Sequence, residues 1–143
     1  MTAPPLSQHI LEVPQGWDRS GLPAWTYHSP ALFDLEKRHV FLNHWQVAGH
    51  VSDIAAPGDW LAFDLLGERA LVIRGRDGVI RAFHNTCRHR GAVLCKEGHG
   101  KSPRIVCPYH HWTYALDGSL LSATRILDDF DKENHGLKPI RME

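Results

Sequence analysis

Two short stretches, Cys87-Arg88-His89 and Cys107-Pro108-Tyr109-His110, each hold one thiol and one imidazole within a single turn of chain. Two thiolates and two imidazoles form the mixed ligand set of a two-iron, two-sulfide cluster in which cysteines hold one iron and histidines the other. Replacing two anionic thiolates by neutral imidazoles lifts the potential of such a cluster to between roughly −150 and +300 mV, so the chemistry indicated is one-electron transfer. The spacing adds to the residue types. A one-residue gap in the first pair and a two-residue gap in the second let each loop reach both irons, so that two loops clamp one cluster from opposite sides.

The same four residues could instead make a tetrahedral structural zinc site. Zinc sites, however, group cysteine with cysteine and histidine with histidine at intervals of about two to five residues, whereas both pairs here are mixed. The cluster is favoured and zinc is the alternative. The third cysteine, Cys95, has no partner and reads as a small buried thiol beside the first ligand loop. Of the eleven histidines, only His89 and His110 stand in ligand spacing. Glu36, His39 and His44 superficially match the two-histidine, one-carboxylate set of a mononuclear iron. On a helix, though, His39 and His44 fall about 140° apart round the axis, so these three read as surface residues.

Positioning such loops calls for a rigid frame, and the pattern after Trp45 is that of an all-β sandwich or barrel. Candidate strands are 45–50, 60–65, 70–74, 80–84, 105–107, 113–116 and 120–123. Turn signals separate them at Pro57-Gly58-Asp59, Leu66-Gly67, Arg76-Asp77-Gly78 and Leu116-Asp117-Gly118. The stretch 91–103 has no periodicity and reads as a loop. Upstream, Leu32, Leu35, Val40, Phe41, Leu42 and Trp45 interleave with charged residues at close to a helical period, predicting one amphipathic helix over 31–45 with Ser29 near its start and Pro30 in its first turn. Residues 1–30 carry Pro4, Pro5, Pro14, Pro23 and Pro30 with Gly16 and Gly21, which predicts an irregular, extended arm. The expected division is arm and helix over 1–44 and a β domain over 45–143.

At 143 residues the chain has room for one domain with a real core and a short arm. Its 16 basic and 16 acidic residues cancel, which gives no electrostatic sign of a nucleic-acid partner. No stretch approaches 18 apolar residues, so no membrane span is expected. The N-terminus lacks the basic start and apolar run of a secretory signal, and three cysteines suit a reducing compartment. A cytoplasmic protein is the simpler expectation.

Cys87-Arg88-His89-Arg90-Gly91 and Cys107-Pro108-Tyr109-His110-His111-Trp112-Thr113-Tyr114, followed by Leu116-Asp117-Gly118, resemble the N-terminal Rieske [2Fe-2S] domain of the α subunits of Rieske non-haem iron oxygenases, the ring-hydroxylating dioxygenases and their monooxygenase and demethylase relatives. The helix ending in Trp45, Ala48-Gly49-His50 and Pro57-Gly58-Asp59 extend the likeness, which covers about residues 31–140. The resemblance implies an antiparallel β-sandwich with two cluster-binding loops. It implies that Cys87 and Cys107 bind the inner iron and His89 and His110 the outer iron, with Arg90 and Gly91 forming the turn after the first pair and Tyr109 and Trp112 packing the second loop. His111 departs from it, because many members have glycine there. The stretches 100–107, 130–132 and 136–139 look most like the branch acting on quaternary ammonium compounds such as glycine betaine, carnitine or choline. The family's catalytic mononuclear Fe(II) has no counterpart here, so the chain reads as the N-terminal portion of a longer subunit that carries electrons and does not itself oxygenate. The implied partners are a reductase or ferredoxin as electron donor and further copies in a homotrimer or larger ring. A stand-alone Rieske ferredoxin is the alternative, less expected because of the long arm and helix.

Overall fold

The computed structural model describes residues 15–16, 20–124 and 129–143. Most of the predicted N-terminal arm, residues 1–14 and 17–19, lies outside the described residues. The chain forms two compact units, 1–47 and 48–143.

In the first unit a helix, α1 (Pro30–Glu36), begins as predicted. Ser29 is its N-cap, accepting from the Leu32 amide at 3.3 Å, and Pro30 takes the first helical position, where its missing N–H is no loss. The predicted helix runs too long. After Glu36 the backbone widens into a π-helical turn, Lys37–Phe41, and helical structure stops there instead of at Trp45. The side-chain amide of Asn43 donates to the Arg38 carbonyl and that of Gln46 to the Phe41 carbonyl, satisfying acceptors that further helix would have used. His39 and His44 are exposed, and the Nδ1 of His44 faces the Val40 carbonyl at 2.9 Å.

The second unit is mainly β, as the sequence indicates. The expected strand at 45–50 does not form: none of these residues belongs to either sheet, and the chain enters the unit through a single turn, Val51–Ile54, capped reciprocally by His50 and Asp53. Strands β1 (Asp59–Leu65), β2 (Glu68–Arg74), β3 (Ile80–His84), β4 (Gly98–Lys101) and β8 (Pro139–Ile140) form an antiparallel sheet in the order β4-β1-β2-β3-β8. A second antiparallel sheet joins β5 (Ile105–Val106), β6 (Thr113–Tyr114) and β7 (Leu120–Ser122) in sequence order. The expected strand 113–116 ends at Tyr114, because Leu116 already belongs to the turn before β7.

Hairpin chemistry fixes the register of the larger sheet. Leu66 and Gly67 both have positive φ, 54° and 92°, which gives a two-residue connection between Leu65 and its partner Glu68. Between β2 and β3, Gly78 has φ 78°, and Asp77 accepts from the Val79 amide at 3.1 Å while pairing with Arg81 at 2.7 Å. Those bonds pull the Asp77 carboxyl down to about 2.

Strand β4 lies inside the stretch expected to be loop. It has no apolar alternation to announce it, only Gly98-His99-Gly100-Lys101. What holds it is its partner: Trp60 lies opposite Gly100 in the ladder, and a Cβ at Gly100 would come within 2.2 Å of the indole. The bare glycine thus leaves room for the aromatic ring to lie across the strand. An ion pair between the cross-strand partners Asp59 and Lys101, at 2.7 Å, ties the same edge.

Side chains alternate across β2. Leu71 and Ile73 face the principal core with Ala62, Phe83, Ile105, Tyr114, Leu116, Leu120 and Leu137, whereas Val72 faces a second cluster with Ile54 and Ala82. Full burial of a leucine or isoleucine side chain contributes about 1.5–3 kcal/mol. Cys87, Cys107 and Trp112 belong to the principal core as well. Among the described residues no helix is long and apolar enough to cross a membrane.

Candidate metal centre

Both ligand loops are built on one hydrogen-bonded frame. In the first, the Cys87 amide donates to the Ala92 carbonyl at 2.8 Å and the Gly91 amide to the Cys87 carbonyl at 3.0 Å. In the second, the Cys107 amide donates to the Trp112 carbonyl at 2.8 Å and the His111 amide to the Cys107 carbonyl at 3.0 Å. Each frame carries its fifth residue in the left-handed region, Gly91 at φ 70° and His111 at φ 59°. His111 is therefore a side chain in a glycine's backbone conformation, which histidine enters more readily than β-branched residues do. The histidine of the candidate ligand pair is the third residue of the first frame and the fourth of the second. This offset brings the two rings together: the Nδ1 atoms of His89 and His110 face each other at 3.0 Å.

The thiols sit deeper. Cys87 is 3 % exposed and Cys107 2 %. Burial raises the Cys107 thiol above its ordinary value and the adjoining Cys87 thiol adds to this, while hydrogen bonds from the Tyr109 and His110 amides act the other way, favouring thiolate. Tyr114 serves the other sulfur, its hydroxyl lying 3.3 Å from Cys87 Sγ. The same hydroxyl accepts from the Arg88 amide at 3.1 Å, which leaves its hydrogen free to donate to sulfur. Burial and the neighbouring Cys87 raise the phenol far above its usual value, so it stays a donor.

Trp112, 2 % exposed, reaches across to the other loop and stacks on His89 with ring centres 4.8 Å apart and planes within 7°. Its indole N–H donates to the Thr124 carbonyl at 3.3 Å, and the Thr124 hydroxyl donates to the His110 carbonyl at 2.7 Å. One tryptophan thus orients the first histidine and is linked through Thr124 to the second. Tyr109 stacks on His110 at 3.7 Å but is 57 % exposed. Arg90 and Gly91 form the exposed outer turn of the first loop. A Cβ at Gly91 would meet nothing in the protein within 4 Å, so what that position requires of the chain is its left-handed backbone.

Asn85, buried, fixes the segment after the first loop: its side-chain amide donates to the Cys95 carbonyl at 2.7 Å and its carbonyl accepts from the Cys95 amide at 3.0 Å. Burial pushes the Cys95 thiol up to about 11, in keeping with an inert packing residue. Sequence reasoning assigned no site role to Asn85, Tyr114 or Thr124. The only signal for Tyr114 is that a tyrosine inside a short buried strand needs a partner for its hydroxyl.

The donors suit a binuclear group better than one metal ion. They fall into a buried sulfur pair and a nitrogen pair nearer the surface. Among the described residues one buried side-chain polar atom has no partner, the Nε of Arg88. It belongs to the residue between Cys87 and His89, where an anionic group would satisfy it.

The Rieske [2Fe-2S] domain family matches residues 44–127. The glycine betaine monooxygenase oxygenase subunit of Chromohalobacter salexigens is 46 % identical over 120 residues, covering 83 % of this chain and 27 % of that protein. The carnitine monooxygenase oxygenase subunit of Acinetobacter baumannii is 41 % identical over 142 residues, covering 94 % of this chain and 38 % of that protein. A solved quaternary ammonium Rieske monooxygenase, described in terms of carnitine oxidation by gut microbiota and inter-subunit electron transfer, superposes with a TM-score of 0.75 at 42 % identity, covering 82 % of this chain and 33 % of that one. The chain thus spans between about a quarter and two fifths of the length of these relatives.

Proposed function

The chain belongs to the Rieske [2Fe-2S] domain family, and from that premise we propose that it is the electron-transfer part of an oxygenase acting on a quaternary ammonium compound such as glycine betaine or carnitine. Cys87 and Cys107 hold the inner iron, and His89 and His110 hold the outer iron. The observation that carries this reading is the segregation of donors, with two thiols in the hydrophobic core and two Nδ1 atoms 3.0 Å apart nearer the surface. When bound, the cluster supplies one-electron chemistry in the potential range set by its mixed ligands.

The chain's own residues shape that chemistry. The Tyr114 hydroxyl and the Tyr109 and His110 amides direct hydrogen bonds at the sulfurs, which favours negative charge there. Trp112 fixes the plane of His89. Core packing around the thiols excludes water from the sulfur side, leaving the imidazole side as the door for electrons. The donor is a reductase or ferredoxin. The acceptor is a mononuclear Fe(II) in a catalytic domain beyond the span shared with the relatives, on a neighbouring subunit of a homotrimer in the cytoplasm. The relatives' names as monooxygenase oxygenase subunits, and inter-subunit electron transfer in one of them, support an acceptor on a neighbouring subunit.

Anaerobic reconstitution with iron and sulfide tests the ligand assignment. The expected product is red-brown, holds two irons and two sulfides per chain and gives a rhombic resonance on reduction. His89→Cys and His110→Cys should each lower its potential, since thiolate replaces imidazole. A colourless protein that takes up one zinc would overturn the assignment.

A further inference from the structure

Resting on the cluster reading, we infer that Arg88 is a built-in countercharge that stabilises the reduced state of the centre and so sets its potential. Arg88 stands between two of the four candidate ligands. Its main chain is pinned to the site, because its amide donates to the same Tyr114 hydroxyl that faces Cys87 Sγ. Its Nε is buried and unpartnered, and it is absent from the ion pairs formed by the described residues. Burying part of a guanidinium without an acceptor is unfavourable, and a protein that satisfies its other described buried side-chain polar atoms keeps this one unmet.

The anion that answers it is the cluster after reduction. Two ferric ions, two sulfides, two thiolates and two neutral imidazoles carry no net charge together, and one added electron makes the assembly a monoanion. A cation carried on the residue between two of the ligands favours that state over the neutral one, and the burial of its Nε keeps part of the guanidinium out of the screening solvent. The exposed Arg104, one residue before β5, is screened by solvent and should exert little such influence.

The test is a mediated redox titration of the reconstituted full chain, followed by visible absorption and the reduced-state resonance. Arg88→Gln and Arg88→Met, the latter keeping an apolar stem, should lower the reduced-to-oxidised ratio at fixed applied potential about tenfold, which is 59 mV for a one-electron couple. Arg88→Lys should restore most of the difference and Arg104→Gln should leave the wild-type value. The shift should persist at 1 M salt, where the screening length is about 3 Å. Cluster-containing Gln and Met variants at the wild-type potential, or a shift that vanishes at high salt, would overturn the inference. If neither neutral variant holds a cluster, Arg88→Lys decides: a cluster at or slightly below the wild-type potential, with Arg104→Gln unshifted, supports the inference, whereas a shift by the full tenfold ratio, or an equal shift in Arg104→Gln, overturns it. A wild-type chain that yields no rhombic signal would instead defeat the cluster reading itself.

Discussion

The phenol of Tyr114 touches both the sulfur of Cys87 and the amide of Arg88, so one hydroxyl serves the candidate ligand and the loop that presents it. Tyr114→Phe should lower the potential of the reconstituted centre, because a donor to thiolate is lost, and destabilise the fold by about 1 kcal/mol, because the Arg88 amide loses its acceptor. Titration and thermal melting of the variant check both effects, and an unchanged potential would show that the hydroxyl acts on the loop alone. Cys87, His89, Cys107 and His110 stand out as candidate ligands without coordinates, since residue type and spacing are local. The contribution of Tyr114 does not, because it acts on a sulfur 27 positions away in sequence. His111 is intermediate: as a side chain it looks anomalous, but its φ of 59° matches that of Gly91 in the other loop, and only the backbone reveals the equivalence.

At the scale of elements, β1, β2 and β3 were legible because alternation and glycine turns coincide there, each fixing the same register. The helix was overextended because apolar residues keep a helical rhythm past Phe41, while competition from the Asn43 and Gln46 amides for its last carbonyls leaves no trace in periodicity. Residues 45–50 looked like a strand on composition alone, yet they form none and Val47 is 96 % exposed. The converse holds for β4, whose glycines hide a strand that exists to receive Trp60. Gly100→Ala should therefore cost about 1–3 kcal/mol through overpacking against the indole. A melting temperature equal to that of the wild type would mean that Trp60 moves aside freely.

At the scale of the molecule, the two sheets of residues 48–143 share one core, and the candidate thiols are part of it. Fold class and family were legible because the ligand motifs sit amid strand and turn signals that agree with them. Chelating the iron from reconstituted protein should lower the melting temperature, since a group bound only by the folded state stabilises it. Hydrogen exchange should then rise in residues 85–94 and 107–112 while β1–β3 keep their protection; uniform loss of protection would show that the sheets depend on the metal. The depth of Cys87 and Cys107, both under 5 % exposed, also bears on biogenesis. Iron and sulfide arriving from solvent should reach sulfurs this deep only when one of the two loops opens, so slowing that opening should slow maturation. A newly made chain is then easiest to charge before its sandwich closes, which makes the timing of cluster delivery relative to folding as consequential as its affinity.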